Sequence, residues 1–123
     1  EVSANIAKRL LYLWNIPDKI IKIVYDAIYN HRFSKGRTPQ TIEGKILSDA
    51  DKLDALGAIG IARVFKHDCG RAIEDDIKHF YEKIVKLPHL MYTEAGYKLA
   101  IERLKVVEYF LEQIQKELNS ENQ

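Results

Sequence analysis

Apolar positions recur at helical spacing almost from one end of the chain to the other. Ile6, Leu10, Leu13 and Trp14 fall at i, i+4, i+7 and i+8, one face of a helix that Ser3 is placed to cap. Ile16-Pro17 ends it, because proline drives the residue before it out of the helical region and itself suits a helix start. A second helix is expected over 17–31, burying Ile20, Ile21, Val24, Ala27 and Ile28, with His31 extending the stripe. Segment 32–40 is polar and rich in turn formers and reads as a loop. Thr41 can cap a third helix, with Glu43 favourable in its first turn and Ile46, Ala50, Leu53 and Leu56 as its core face. Gly57 ends or bends it, Ala58, Gly60 and Ala62 let a second backbone approach, and helical pattern resumes through Phe65. After a break at Gly70, a helix over 72–86 carries Ile73, Ile77, Phe80, Tyr81 and Ile84 and stops at Leu87-Pro88. Thr93 caps a last helix running to Leu118, with Ala100, Leu104, Val107, Leu111, Ile114 and Leu118 on one stripe. At about 1.5 Å per residue it spans about 40 Å. Beyond it, 120–123 is polar and expected to fray. Six helices and no convincing strand predict a single all-α domain over 1–123.

Chemistry enters where polar groups interrupt this pattern. Asp49, Asp51 and Asp54 lie inside the third helix. Glu43, Leu47, Asp51 and Asp54 share one stripe, and Asp49 falls on roughly the opposite side from Asp51. Only one of that pair can serve a given site, and an acid that faces inward needs a cation or hydrogen-bond donors. On spacing alone, a solvated face for all three is as good a reading. His31 should point inward, where a lone imidazole is more often a hydrogen-bonded core group than a ligand. Arg32, Lys35 and Arg37 cluster beside it. They can hold an anionic substrate, since guanidinium offers a planar fork for phosphate, or form a solvated basic loop. Arg63 is expected to pair with one of the aspartates, and His79, flanked by Lys78 and Lys83, to lie at the surface or an interface.

Three segments carry a family likeness: Asn30-His31-Arg32-Phe33-Ser34, the run DADKLDALGAIGIAR over 49–63, and HFYEK over 79–83 followed by Met91, Thr93, Gly96, Ala100 and Arg103. Together they cover nearly the whole chain. It resembles the HD superfamily of metal-dependent phosphohydrolases, in particular a bacterial and archaeal subgroup of predicted HD hydrolases. The superfamily binds its metal through an early His, a His-Asp pair and a late Asp. The resemblance places the first two ahead of a segment like Glu1-Val2-Ser3-Ala4, so the chain is expected to be the C-terminal part of an HD domain. His67-Asp68 follows the late aspartate and reads as a surface pair.

The likeness implies an all-α HD-like helical bundle and a set of roles. Asp51 matches the late metal ligand. His31 becomes a site-lining residue that contacts substrate phosphate or a second metal. Lys52, Arg32 and Arg37 could offset charge on a phosphoryl group. A mixed histidine and aspartate set suits Mn, Fe, Co, Ni or Zn, with Mg also open, and such a metal would activate water against a phosphate ester. The intact protein is then expected to hydrolyse a small phosphorylated substrate, a nucleotide among the options, with this chain alone nearly inactive and its metal content open. The alternative is a degenerate, non-catalytic HD-like module that binds a partner or ligand. A homodimer through exposed apolar surface, including the last helix, is also open.

Composition narrows the partners. With 123 residues and 46% hydrophobic content the chain can build one core. A net charge of +1 gives no basic field for a nucleic-acid polymer. The one cysteine, Cys69, cannot form an internal disulfide, which fits a reducing, cytoplasmic setting. No apolar run approaches the roughly 20 residues of a membrane span.

Overall fold

A computed structural model of the chain describes residues 1–32, 36–67 and 70–121. The expectations for Ser34 and Lys35 in the basic loop, for Asp68 in the late His-Asp pair and for Cys69 lie outside the described residues. Among the described residues, six α-helices and one 3₁₀ segment follow in order: α1 (Val2–Leu13), α2 (Asp18–Asn30), α3 (Ile42–Leu53), α4 (Gly57–His67), α5 (Ile73–Glu82), the 3₁₀ segment (Ile84–Leu90) and α6 (Glu94–Glu121). The all-α expectation holds, and no strand occurs among the described residues. Two compact units divide the chain, Glu1–Asp51 and Lys52–Gln123.

In the first unit, α1 and α2 pack together as a helical hairpin. The turn between them is set before the proline. Asn15 takes a left-handed φ of 57°. Its N–H donates to Tyr12 O and that of Ile16 to Leu11 O, both at 3.1 Å, so carbonyls of the last helical turn find donors. Pro17 then caps α2, whose first turn holds Asp18 against the positive helix end. At the start of α1 the expected Ser3 cap is not made: Glu1 is the capping residue and no side chain caps the helix. The buried side of α1 is also not the expected one. Ala4 is buried and Ala7 and Leu11 half-buried, while Ile6, Leu10, Leu13 and Trp14 are exposed. Alanines give a narrow surface on which a neighbouring helix can sit close, and the bulky stripe is left outside. On α2, Ile21 and Ala27 are buried, Val24 and Ile28 half-buried, and Ile20 exposed.

Thr41 caps α3 as expected, its Oγ1 accepting the Gly44 N–H at 3.1 Å. The expected core face of α3 is met only at its end, where Leu56 is buried and Leu53 packs against the same core. Ile46 and Ala50 are exposed and Leu53 half-buried, whereas Gly44, Ser48, Asp49 and Lys52 are buried. The reason is visible at Gly44, where a Cβ would lie 3.5 Å from the Ala27 backbone and 3.0 Å from Pro39 Cβ. The smallest residue makes the close approach to α2. Among the described residues no buried side-chain polar atom lacks a hydrogen-bond partner.

The second unit is built around α6. The α4 helix and the 3₁₀ segment pack on it, and α5 packs on the 3₁₀ segment. Leu56, Ile77, Phe80, Ile84, Leu87, Ala100, Val107 and Leu111 form the core. Phe65, Phe80 and Phe110 meet there, with ring centroids 5.7 to 6.1 Å apart, the spacing of tilted and edge-on aromatic contacts. Gly57, at a φ of +75°, separates α3 from α4, and Thr93 Oγ1 accepts the Gly96 N–H at 3.0 Å to start α6. The α5 helix ends at Glu82, before the expected stop at 86. The chain tightens into the 3₁₀ segment after Lys83 and carries Pro88 inside it. No helix among the described residues is long and apolar enough to cross a membrane.

Candidate functional site

The C-terminal end of α2 presents the most chemically specific arrangement. A helix end leaves its last carbonyls without intrahelical donors. Here two side chains from the following residues take them. His31 Nδ1 donates to Ile28 O. Arg37 Nη1 donates to Tyr29 O at 3.1 Å. An imidazole nitrogen against a carbonyl oxygen must carry its proton, so Nε2 is the ring nitrogen left for another partner. Arg37 is held a second way: its Cζ lies 3.9 Å from the centroid of the Tyr29 ring.

His31, Arg32 and Arg37 line one cleft of about 420 Å³, with Ile28 and Tyr29 beside them and Glu1, Val2 and Ser3 completing the wall. That volume lies in the range of about 300–1,000 Å³ typical of small-ligand sites. Two guanidinium groups face it against one carboxylate, Glu1. A cleft with that charge balance and a partly immobilised arginine fork is suited to an anion.

The aspartates divide as the helical period requires. Asp49 is buried, at 3% exposure, and has a partner. Asp51 is exposed and is not among the residues that line the cleft. Asp54 is exposed and pairs with Arg63 at 3.7 Å. Among the described residues there is no group of three His, Cys, Asp or Glu able to hold a metal ion. The imidazole of His31 and the carboxylate of Asp51 are suitable donors singly. They do not make a cage, so the described residues do not fit a complete metal site.

Lys52 follows Asp51 in sequence but is buried, at 4% exposure. Its Nζ donates to Leu90 O at 2.8 Å and sits 4.3 Å from the centroid of Tyr92. Nearby, Arg103 Nη1 donates to Leu53 O at 2.9 Å, taking a carbonyl at the end of α3, and its aliphatic stem lies where a Cβ on Gly57 would meet it. Two cations thus hold the end of α3 from within the second unit. His79 is half-buried. Burial lowers its pKa, Lys83 and Arg71 lower it further, and Asp76 and Glu82 oppose them. Its expected place at a surface is therefore only partly met.

One functional feature was not read from the sequence. Tyr25 and Tyr29 stack, with centroids 5.7 Å apart and planes at 17°. Lys8 Nζ lies 5.6 Å from the Tyr25 ring, so the two rings sit between Lys8 and Arg37. The signal was the i, i+4 spacing of two tyrosines on α2.

Comparison with known proteins bears on this arrangement. A model of the HD domain matches residues 1–56. The uncharacterized protein YpgQ of Bacillus subtilis is 34% identical over 107 residues, which is 82% of this chain and 52% of that protein. The chain thus spans about half the length of its curated relative. The crystal structure of YpgQ superposes with a TM-score of 0.79 at 29% identity, covering 93% of this chain and 63% of that one. YpgQ has also been crystallised with ADP. A Listeria innocua protein of known structure is 32% identical, with a TM-score of 0.78, over 95% of this chain and 68% of its own. An HD-superfamily hydrolase from Bacillus thuringiensis is 38% identical, with a TM-score of 0.71, over 90% of this chain and 60% of its own. With its all-α fold, its HD-domain match and these relatives, the chain belongs to the HD-domain family.

Proposed function

We propose that the chain is the substrate-anion-binding part of a metal-dependent phosphohydrolase that acts on a nucleotide or another small phosphate ester. The observation that carries this reading is the cleft at the end of α2, where His31, Arg32 and Arg37 meet and Arg37 is held in place by Tyr29. Arg37 supplies the bidentate fork for a phosphate, Arg32 adds a second positive charge to the lining, and His31 offers Nε2 to the substrate. The ADP complex of YpgQ supports a nucleotide as the substrate class.

The metal chemistry belongs, in this reading, to the complete protein, with Asp51 as one ligand. Its exposed carboxylate is available for that role, whereas Asp49 is already engaged inside the fold. The described residues do not complete a metal site, so no reaction step is derived from them. Lys52 enters as an anchor of α3, because its ammonium is committed to Leu90 and Tyr92.

The test uses the complete protein with its metal. Asp51→Ala should abolish both metal content and turnover. Arg37→Gln should raise KM for a nucleotide about tenfold or more, the order expected from losing a charge-assisted contact. Unchanged metal content and turnover in Asp51→Ala would remove the assignment. A second reading, a non-catalytic module that binds a ligand through the same cleft, draws on the absence of a three-donor cluster among the described residues. Elemental mass spectrometry of the complete protein separates the two: near-stoichiometric metal supports the enzyme, and none supports the module.

A further inference from the structure

The line of side chains from Lys8 through Tyr25 and Tyr29 to Arg37 is not explained by packing alone. Arg37 follows a loop, and a long side chain on a loop samples many rotamers, so its ordering opposes ligand binding unless something holds it beforehand. Here two contacts do so. One N–H is given to the Tyr29 carbonyl at 3.1 Å, and the guanidinium lies 3.9 Å from the Tyr29 ring centroid. The same residue therefore fixes the guanidinium from its backbone and from its ring. Tyr29 is itself stacked on Tyr25 one helical turn earlier, and Lys8, from α1, lies near the far ring. A guanidinium has five N–H donors, and one is used at Tyr29, so the fork retains donors for a ligand in the cleft it lines.

We propose that Tyr29, braced by Tyr25, is the positioning residue of Arg37 and makes it a preorganised receptor for a phosphate or pyrophosphate group in the cleft. This rests on the reading of the cleft as an anion site. The ring face is what matters, so the phenolic hydroxyl is dispensable. Because the arrangement acts on how the anion is held, its loss appears in affinity and KM and leaves kcat nearly unchanged.

The experiment is a calorimetric titration of the complete protein with inorganic pyrophosphate at low ionic strength, with melting temperatures checked for each variant. Tyr29→Leu should weaken binding about tenfold, the order of a partly desolvated cation–ring contact. Tyr29→Phe should stay within about twofold of the parent. In an Arg37→Gln background, Tyr29→Leu should add nothing, since the two residues act as one. A wild-type protein that binds pyrophosphate equally well as Tyr29→Leu overturns the positioning role and leaves the anion site standing. Equal further weakening by Tyr29→Leu in the Arg37→Gln background overturns it too. If the wild type does not bind pyrophosphate at all, the reading of the cleft fails and the proposal falls with it. Should Tyr29→Leu not fold, the Arg37 Nε–H resonance of the unliganded parent decides, assigned by its loss in Arg37→Gln. An upfield ring-current shift supports the arrangement, and a shift typical of a free arginine overturns it.

Discussion

Replacing Lys52 by methionine separates a structural role for this residue from a catalytic one. Methionine keeps most of the side-chain length and volume, so the core is not hollowed. What goes is the charge and with it contacts that include the 2.8 Å hydrogen bond to Leu90 O and the approach to Tyr92 at 4.3 Å. Losing a hydrogen bond to a charged group costs about 1.5–3 kcal/mol. A largely desolvated cation–ring contact adds up to about 2 kcal/mol. Opposing these losses, the variant no longer has to bury an ammonium group, which is itself costly by several kcal/mol. With the hydrogen bond as guide, the expected net loss is about 2 kcal/mol. With a urea m-value of about 2 kcal/mol per molar for a chain of this size, the unfolding midpoint should fall by about 1 M at unchanged m. Tyr92→Leu should be coupled to it: the double variant should lose about 1 kcal/mol less than the sum of the singles. An unchanged midpoint in Lys52→Met, together with lost turnover in the complete protein, would refute this account and return Lys52 to the reaction.

Three further outcomes are expected. Asp49→Ala should lower the unfolding free energy by about 2–3 kcal/mol because it orphans partners of a buried carboxylate, while Asp51→Ala should stay within about 0.5 kcal/mol. Equal losses measured by urea titration would show that burial does not distinguish the two. Gly60→Ala should cost about 3 kcal/mol or more, since the added Cβ would lie 2.4 Å from the carbonyl carbon and oxygen of Ala55, backbone atoms that cannot swing aside; a melting temperature equal to the parent's would contradict it. His79 has a folded pKa below its unfolded value near 6.5, so the unfolded chain binds more protons between the two. Its contribution to stability is present above about pH 6.5 and fades as the pH falls towards the folded value. The difference in melting temperature between pH 7.5 and pH 5.5 should therefore shrink in His79→Gln, and an undiminished difference would assign the effect to other groups.

What the pattern could and could not convey is clearest on α1 and α3. Both helices were legible, as were the threonines that cap α3 and α6 and the glycine between α3 and α4. A 3.6-residue period reports which positions are apolar together. It does not report which of two candidate faces packs when one is bulky and the other small. On α1 the helix sits on Ala4, Ala7 and Leu11, and on α3 the close approach is at Gly44. Small side chains allow the shorter distance between backbones, and hydrophobicity scales give them little weight.

The same ambiguity governs the DADK run. Spacing establishes that Asp49 and Asp51 point apart, but burial alone identifies which one is inside. The structure puts Asp49 and Lys52 inside and Asp51 outside, so residues adjacent in the motif carry opposite duties. The inner ones have partners within the protein, and the outer one is exposed. At the end of α2 the candidate residues were legible by type. The Ile28 carbonyl is a local partner of His31, but the carbonyl and ring of Tyr29 that hold Arg37 lie eight residues back, and no helical spacing encodes that contact. The distinction has a consequence for mutagenesis within the motif. Loss of function at Asp49 or Lys52 is evidence about folding until stability has been measured, whereas loss of function at Asp51 with stability intact bears on the chemistry directly.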